Sequence, residues 1–251
     1  MQIRPSSLAL NRRGDYGFDA PMVPALMGAG GVILLVVAVV LGTGRDPSSA
    51  ILPFISGLAL LLQCAIYVHT TRSGKFKVWA ELLAGLNLRG DEAVLDMGCG
   101  RGAVLLTVAG LVPRGNAVGL DLWKKVDQSG NDLATTQANA EAEGVADRVE
   151  LHTGDMRNMP LPDNTYDLVL SSLAIHNIHG PGERRKAVDE AVRVLKPGGR
   201  LRIADLRHST RDYAQELEKL GMNAISVGGL GWRFWYGGPW VAASLVTATK
   251  P

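Results

Sequence analysis

Two long stretches of this chain carry no charge, and that constrains the fold more than anything else in the sequence. From Ala20 to Gly44 there is no Asp, Glu, Lys or Arg, and from Pro47 to Thr71 there is again none, with only His69 near the far end. Residues 31–41 are apolar on every side. A spanning helix needs about 20 mostly apolar residues, and both runs supply them. A core helix of a water-soluble domain would show a polar stripe, and neither run has one. The stretch before the first run is long for the basic end of a cleaved leader, and the second run follows at once. Arg45, Asp46, Pro47 and Ser48 between the runs leave room only for a turn. The sequence therefore predicts a transmembrane helical hairpin over residues 22–71, with spans near 22–42 and 50–69, preceded by a flexible arm over residues 1–21.

Basic residues flank the hairpin on one side. Arg4, Arg12 and Arg13 precede it and Arg72, Lys75 and Lys77 follow it, against Arg45 alone in the turn. Positive charge accumulates on the cytoplasmic side, so both termini and the following domain are expected there. Gly28, Gly30 and Gly31 would permit a close helix contact, including one with a second copy of the chain. The segment from Lys75 to Leu83 alternates basic and apolar residues around Trp79. It suits an interfacial helix and equally the first helix of a soluble domain.

Residues 72–251 read as one domain. The run from Val94 to Gly102 passes from a buried strand into a turn with glycine at 98, 100 and 102, and a helix starts near Ala103. Strands then alternate with helices: strands at 93–96, 116–121, 149–152, 166–170 and 199–205, helices at 103–111, 135–143, 183–195 and 211–220. Two final strands at 224–227 and 241–249 flank an aromatic, glycine-rich loop. Such alternation gives a doubly wound, Rossmann-like parallel sheet whose ligands sit at the carboxyl ends of the strands. The formal net charge of +2 gives no bulk electrostatic case for nucleic acid. The two cysteines, Cys64 and Cys99, form neither a disulfide framework nor a metal site, and no metal is expected.

The Val94–Gly102 run, the acid ending the second strand at Asp121, the Gly154–Asp155 pair and the Leu195–Arg200 segment together resemble a class I S-adenosylmethionine-dependent methyltransferase of the small-molecule kind. The resemblance spans residues 75–251 and implies a seven-stranded sheet with S-adenosylmethionine as cofactor. It implies a cofactor site made of Asp96, Gly98, Cys99, Gly100 and Gly102, of Asp121 with Leu122 and Trp123, of Asp155 with Met156, and of Ser171. In it Asp96 supports the turn, Asp121 takes the ribose hydroxyls, Asp155 accepts from the adenine amino group, and Met156 lies against the ring. The polar segment 124–131 is long enough to fold over a ligand.

The acceptor is expected after the fourth strand, where His176 is the candidate general base, imidazole being able to take a proton near neutral pH. Trp232, Phe234, Trp235 and Tyr236 fall within five residues of a chain that is 6% aromatic. Trp232, Trp235 and Tyr236 are candidates for a lipophilic substrate wall. The loop equally suits the bilayer interface or packing of the last hairpin. The expected activity is methyl transfer to a small lipophilic or membrane-associated acceptor: a quinone, phenol, thiol, isoprenoid or lipid. Two other readings stand beside it, an anchored module that binds the cofactor without turnover and a nicotinamide oxidoreductase. The Gly-x-Gly-x-Gly turn and the closing strand pair argue against the last.

Overall fold

The computed structural model describes residues 12–251; Arg4 and the rest of the first eleven residues lie outside them. Helix α1 (Met22–Gly42) and helix α2 (Ile51–His69) form the hairpin, closed by a single 3-10 turn at Pro47–Ala50. Both are long and apolar enough to cross a membrane, and little of either is buried inside the chain. They pack where side chains are smallest. A Cβ on Gly31 would lie 3.1 Å from the Gly57 carbonyl oxygen and collide with Leu61, so only glycine permits this approach. Gly28 faces Cys64 and Gly30 faces Leu60 of the same chain, so the three glycines serve the hairpin's own packing.

Helix α2 runs through a π-helical turn at Thr70–Gly74 straight into α3 (Lys75–Ala84). Phe76, Val78, Trp79, Ala80 and Leu83 of α3 are buried, and the Trp79 indole N–H donates to Ser172 Oγ at 2.8 Å. The segment is the first helix of the domain, and Trp79 belongs to the domain core.

The remaining elements are β1 (Ala93–Met97), α4 (Leu105–Ala109), β2 (Asn116–Asp121), α5 (Leu133–Glu143), β3 (Val149–Thr153), β4 (Tyr166–Ser172), α6 (Pro181–Val194), β5 (Leu195–Leu206), α7 (Arg207–Lys219), β6 (Asn223–Gly229) and β7 (Ala243–Thr249). The seven strands form one sheet in the order β3-β2-β1-β4-β5-β7-β6, with β7 antiparallel to both neighbours and the other pairings parallel. β1, β2 and β4 are covered on both faces and therefore read as continuous apolar runs. Helices α6 and α7 bury one stripe each, Ala187, Val188, Ala191 and Val192 on the first and Tyr213, Ala214 and Leu217 on the second. β5 starts at Leu195, earlier than expected, because Leu195 pairs with Tyr166 before the chain bulges through Pro197 and Gly198 and rejoins at Arg200.

The arm departs from expectation. Residues 12–20 form a strap laid across the domain. Asp15 pairs with Arg101 at 2.7 Å, the Tyr16 hydroxyl donates to Glu143, and the Phe18 carbonyl accepts from the Ser129 N–H. Asp19 closes it, taking the Lys75 ammonium on both oxygens at 2.7 Å, the Tyr236 hydroxyl at 3.1 Å and the Gln128 amide at 3.2 Å. The Lys75 side chain is 8% exposed and that of Asp19 18%. Removing one partner of so buried a pair strands the other charge. Asp19→Ala should accordingly lower stability by about 3 kcal/mol, read as denaturant unfolding of the detergent-solubilised chain, whereas Arg45→Ala in the exposed hairpin turn should change it by less than about 1 kcal/mol.

Candidate functional site

One cavity of about 700 Å³ lies at the carboxyl ends of β1, β2 and β4, where parallel sheets of this kind bind ligands. The volume falls within the range of about 300–1,000 Å³ usual for small-molecule sites. Asp96, Gly98, Cys99, Gly100, Asp121, Leu122, Asp155, Met156 and His176 all line it. The elements bring these residues together because β1 and β4 run parallel in register, Met97 beside Ser171, and each strand releases its loop on the same side.

The turn after β1 requires its glycines. Gly98 and Gly100 have φ of 71° and 51°, a left-handed conformation that costs an L side chain strain. A Cβ on Gly98 would also collide with Ala174, and one on Gly100 would lie 2.6 Å from Gln128 Oε1. Asp96 is 1% exposed and its Oδ1 has no hydrogen-bond partner among the described residues. Burial, with Asp121 nearby, pushes its carboxyl up to about 7. An unpartnered acid oxygen in a cavity wall is expensive unless a donor arrives there.

Asp121 is held firmly. Its Oδ2 accepts from the Gly100 N–H at 2.8 Å, and its Oδ1 from the Trp123 N–H at 2.6 Å and the Asn131 amide at 3.2 Å. A carboxylate offers about four acceptor positions, so a diol engages it fully only where the long Asn131 contact yields. Lys124, Val126, Asp127, Gln128 and Asn131 of the polar segment line the cavity, as its length suggested. Gln128 fixes that segment: its Oε1 accepts from the Arg101 N–H and its Nε2 donates to the Tyr16 carbonyl and to Asp19. The strap is thus part of the site's wall, with its Asp19 and Ala20 on the cavity beside Val23 and Met27 of α1. Asp155 sits at the rim in an ion pair with Arg157, which also reaches Glu183 and holds the Asp155 carboxyl below its usual range.

Several expected residues stand elsewhere. Gly102 packs toward Leu106 and Thr136 rather than the cavity. Ser171 is buried and donates to the Met97 carbonyl, and its neighbour Ser172 reaches the cavity instead. Trp123 turns away from the cavity lining, its φ of 57° directing the indole N–H to Thr153 Oγ1 at 2.8 Å. Of the aromatic loop, Tyr236 lines the cavity, and Trp232 and Trp235 do not. Trp232 stacks on His69 at 5.0 Å, and the Trp235 carbonyl accepts from Thr70 at 2.6 Å. The loop braces the end of the hairpin, and this packing takes both rings out of the expected substrate wall. Phe234 is buried beneath them.

Asp205 is the residue that sequence reasoning missed. It ends β5, is fully buried, and accepts four hydrogen bonds. These come from His176 Nδ1 at 2.6 Å, the His176 N–H at 3.0 Å, the Leu206 N–H at 2.8 Å and the Tyr213 hydroxyl at 3.1 Å. Burial and the Asp205 charge push the Tyr213 phenol upward, so it remains a donor. A carboxylate on Nδ1 fixes the proton there and leaves Nε2 as an acceptor. What brings it to the histidine is the pairing of β5 with β4, whose register sets Ser172 beside Ala204. No group of three or more His, Cys, Asp or Glu among the described residues could hold a metal ion.

Residues 95–203 match the family model described as a methyltransferase domain. The ubiquinone/menaquinone biosynthesis C-methyltransferase of Ruegeria sp. (strain TM1040) is 32% identical over 148 residues, 59% of this chain and 56% of that protein. The demethylmenaquinone methyltransferase of Symbiobacterium thermophilum is 32% identical over 130 residues, 51% of this chain and 48% of the relative. The chain thus spans about half the length of the curated relatives it matches. The crystal structure of a SAM-dependent methyltransferase from Aquifex aeolicus superposes with a TM-score of 0.55 at 21% identity, covering 69% of this chain and 89% of that one. The fold is therefore the Rossmann-like, seven-stranded methyltransferase fold.

The Asp96 environment sets a pH dependence. Below the ordinary carboxyl value of 3.8 the group is protonated folded and unfolded alike, and burial costs nothing. Between there and about 7 only the native state keeps the proton, so stability falls by about 1.4 kcal/mol for each unit that pH rises. Above about 7 this contribution is flat. The melting temperature of the ligand-free chain should drop between pH 5 and pH 7 by more than that of Asp96→Asn (pH values set by the window above). Parallel curves for the two chains would remove Asp96 from the account.

Proposed function

We propose that this chain is a membrane-anchored enzyme that transfers the methyl group of S-adenosylmethionine to a small lipophilic acceptor, with a quinol-type ring the favoured class. The observation that carries the reading is one cavity joining the glycine turn and Asp121 to a histidine oriented by a buried carboxylate. The relatives named for quinone biosynthesis support the acceptor class.

The residues fit the cofactor. The unpartnered Asp96 Oδ1 suits an ammonium, which would supply both the missing donor and a countercharge. Gly98 and Gly100 leave backbone that a ligand can approach closely. Asp121 would hold a ribose diol, and Leu122 and Met156 offer apolar faces to a base, with Asp155 at the rim as acceptor. Bound there, S-adenosylmethionine supplies a sulfonium methyl to the reaction. His176 would take the acceptor's hydroxyl proton on Nε2, raising the electron density of the ring, while Asp205 stabilises the imidazolium and keeps it aimed. Trp79, Phe76 and Tyr236 line the acceptor end and exclude water. A non-catalytic module would have no need of the His176–Asp205 pair, so turnover is the better reading.

Two apolar helices support anchoring, and the basic residues Arg12, Arg13, Arg72 and Lys77 favour both termini and the domain on the cytoplasmic side. The strand order and the antiparallel β7 leave the nicotinamide alternative without support.

Calorimetric titration of the solubilised chain with S-adenosylmethionine tests the cofactor. Saturable binding is expected, weakened at least tenfold, about 1.4 kcal/mol, by Asp121→Ala. Transfer of radiolabelled methyl to a naphthoquinol tests the chemistry. His176→Gln should lower kcat by about 100-fold or more with cofactor affinity retained. Asp205→Asn should lower kcat more than it changes KM, since it acts through His176. A folded chain that binds no S-adenosylmethionine would end this reading.

A further inference from the structure

The cavity does not stop at the domain. Val23 and Met27, on the first two turns of α1, line the same space as His176 and Asp121. We propose that the apolar chain of the acceptor leaves the cavity sideways into the bilayer, between Val23 and Met27 of the hairpin and the aromatic loop that ends at Val241. The inference rests on the methyl-transfer reading only for which end of the cavity is reactive.

Three observations support an apolar chain as occupant. The polar groups at this end are already matched to one another: Asp19 takes Lys75, Tyr236 and Gln128, and the Tyr67 hydroxyl donates to the Asp19 carbonyl. A passing chain therefore meets no unpaired charge. The partition between cavity and bilayer is thin, because a Cβ on Gly237 would lie 3.1 Å from Met27 Cε. A flexible thioether opposite a glycine fills a gap that it can vacate. Outside it the hairpin is apolar, with Met22 and Leu26 each 67% exposed, so a chain passes from one apolar surroundings to another. An acceptor with a tail would be drawn from the bilayer, where it is concentrated, and one without would arrive from water.

The test uses the full chain in phosphatidylcholine nanodiscs with two probes: a naphthoquinol without a side chain and the same ring carrying a polyprenyl chain. The prenylated probe should be methylated with a kcat/KM at least about tenfold higher, as partition of even a few methylenes from water into the bilayer that feeds the passage implies. That ratio should fall toward one in Met27→Trp and stay as it is in Leu26→Trp, whose side chain faces away from the cavity. Equal kcat/KM for the two probes, or a ratio untouched by Met27→Trp, overturns the proposal. Should neither ring be methylated by a chain that binds S-adenosylmethionine, the quinol reading fails, and a ring-free alkyl diazirine then decides the route. Cross-links to Leu206 or Val241, on the domain side of the cavity, sustain the passage; cross-links confined to the outward face at Val32, Val36 and Val40 overturn it.

Discussion

The buried ion pair between Asp19 and Lys75 is the contact on which the rest depends. Asp19 is the last acid before the hairpin and Lys75 the first residue after the π-helical turn that ends it, so the pair joins the hairpin's two inner ends. Buried charges are tolerated when paired and hydrogen-bonded, and here Tyr236 and Gln128 complete the set. Burial keeps the Tyr236 phenol protonated and hence a donor. Through those two partners the pair also reaches the aromatic loop and the segment over Asp121. One node thus fixes the angle at which the hairpin meets the domain and the position of a cavity wall.

The consequence is a site with two kinds of wall. The strand ends supply one: a glycine turn, an acid at or near the end of each of the first three strands and a histidine after the fourth. The strap and the hairpin supply the other. Arg101, next to the glycine turn, holds Asp15 and the Ser129 carbonyl, so the turn and the strap constrain each other. The hairpin and the cavity accordingly share residues rather than occupying separate ends of the molecule.

The sequence made the sheet legible because its inner strands are buried on both faces and bounded by glycine and proline. The acids at 96, 121 and 155 are legible by position, each at or just beyond the carboxyl end of a strand. His176 was legible as a residue type, and Asp205 was not, because its role depends on β5 lying beside β4, a pairing between distant segments. Residues 12–20 have no periodicity and so read as a flexible arm; their order comes from paired hydrogen bonds to Glu143, Asn139 and Ser129 and from the ion pairs of Asp15 and Asp19. Trp232 and Trp235 looked like a substrate wall because aromatic clusters suit many surfaces. Only the position of the hairpin end, with His69 stacked on Trp232, shows what they brace.

The candidate cofactor site, the strap and the base of the hairpin form one unit. Hydrogen–deuterium exchange of the chain in nanodiscs, with and without saturating S-adenosylmethionine, tests it most directly. The account predicts that amides of residues 98–102 and 121–131 slow together with those of 15–20. Protection confined to the strand-end loops, with the strap exchanging as before, would contradict it.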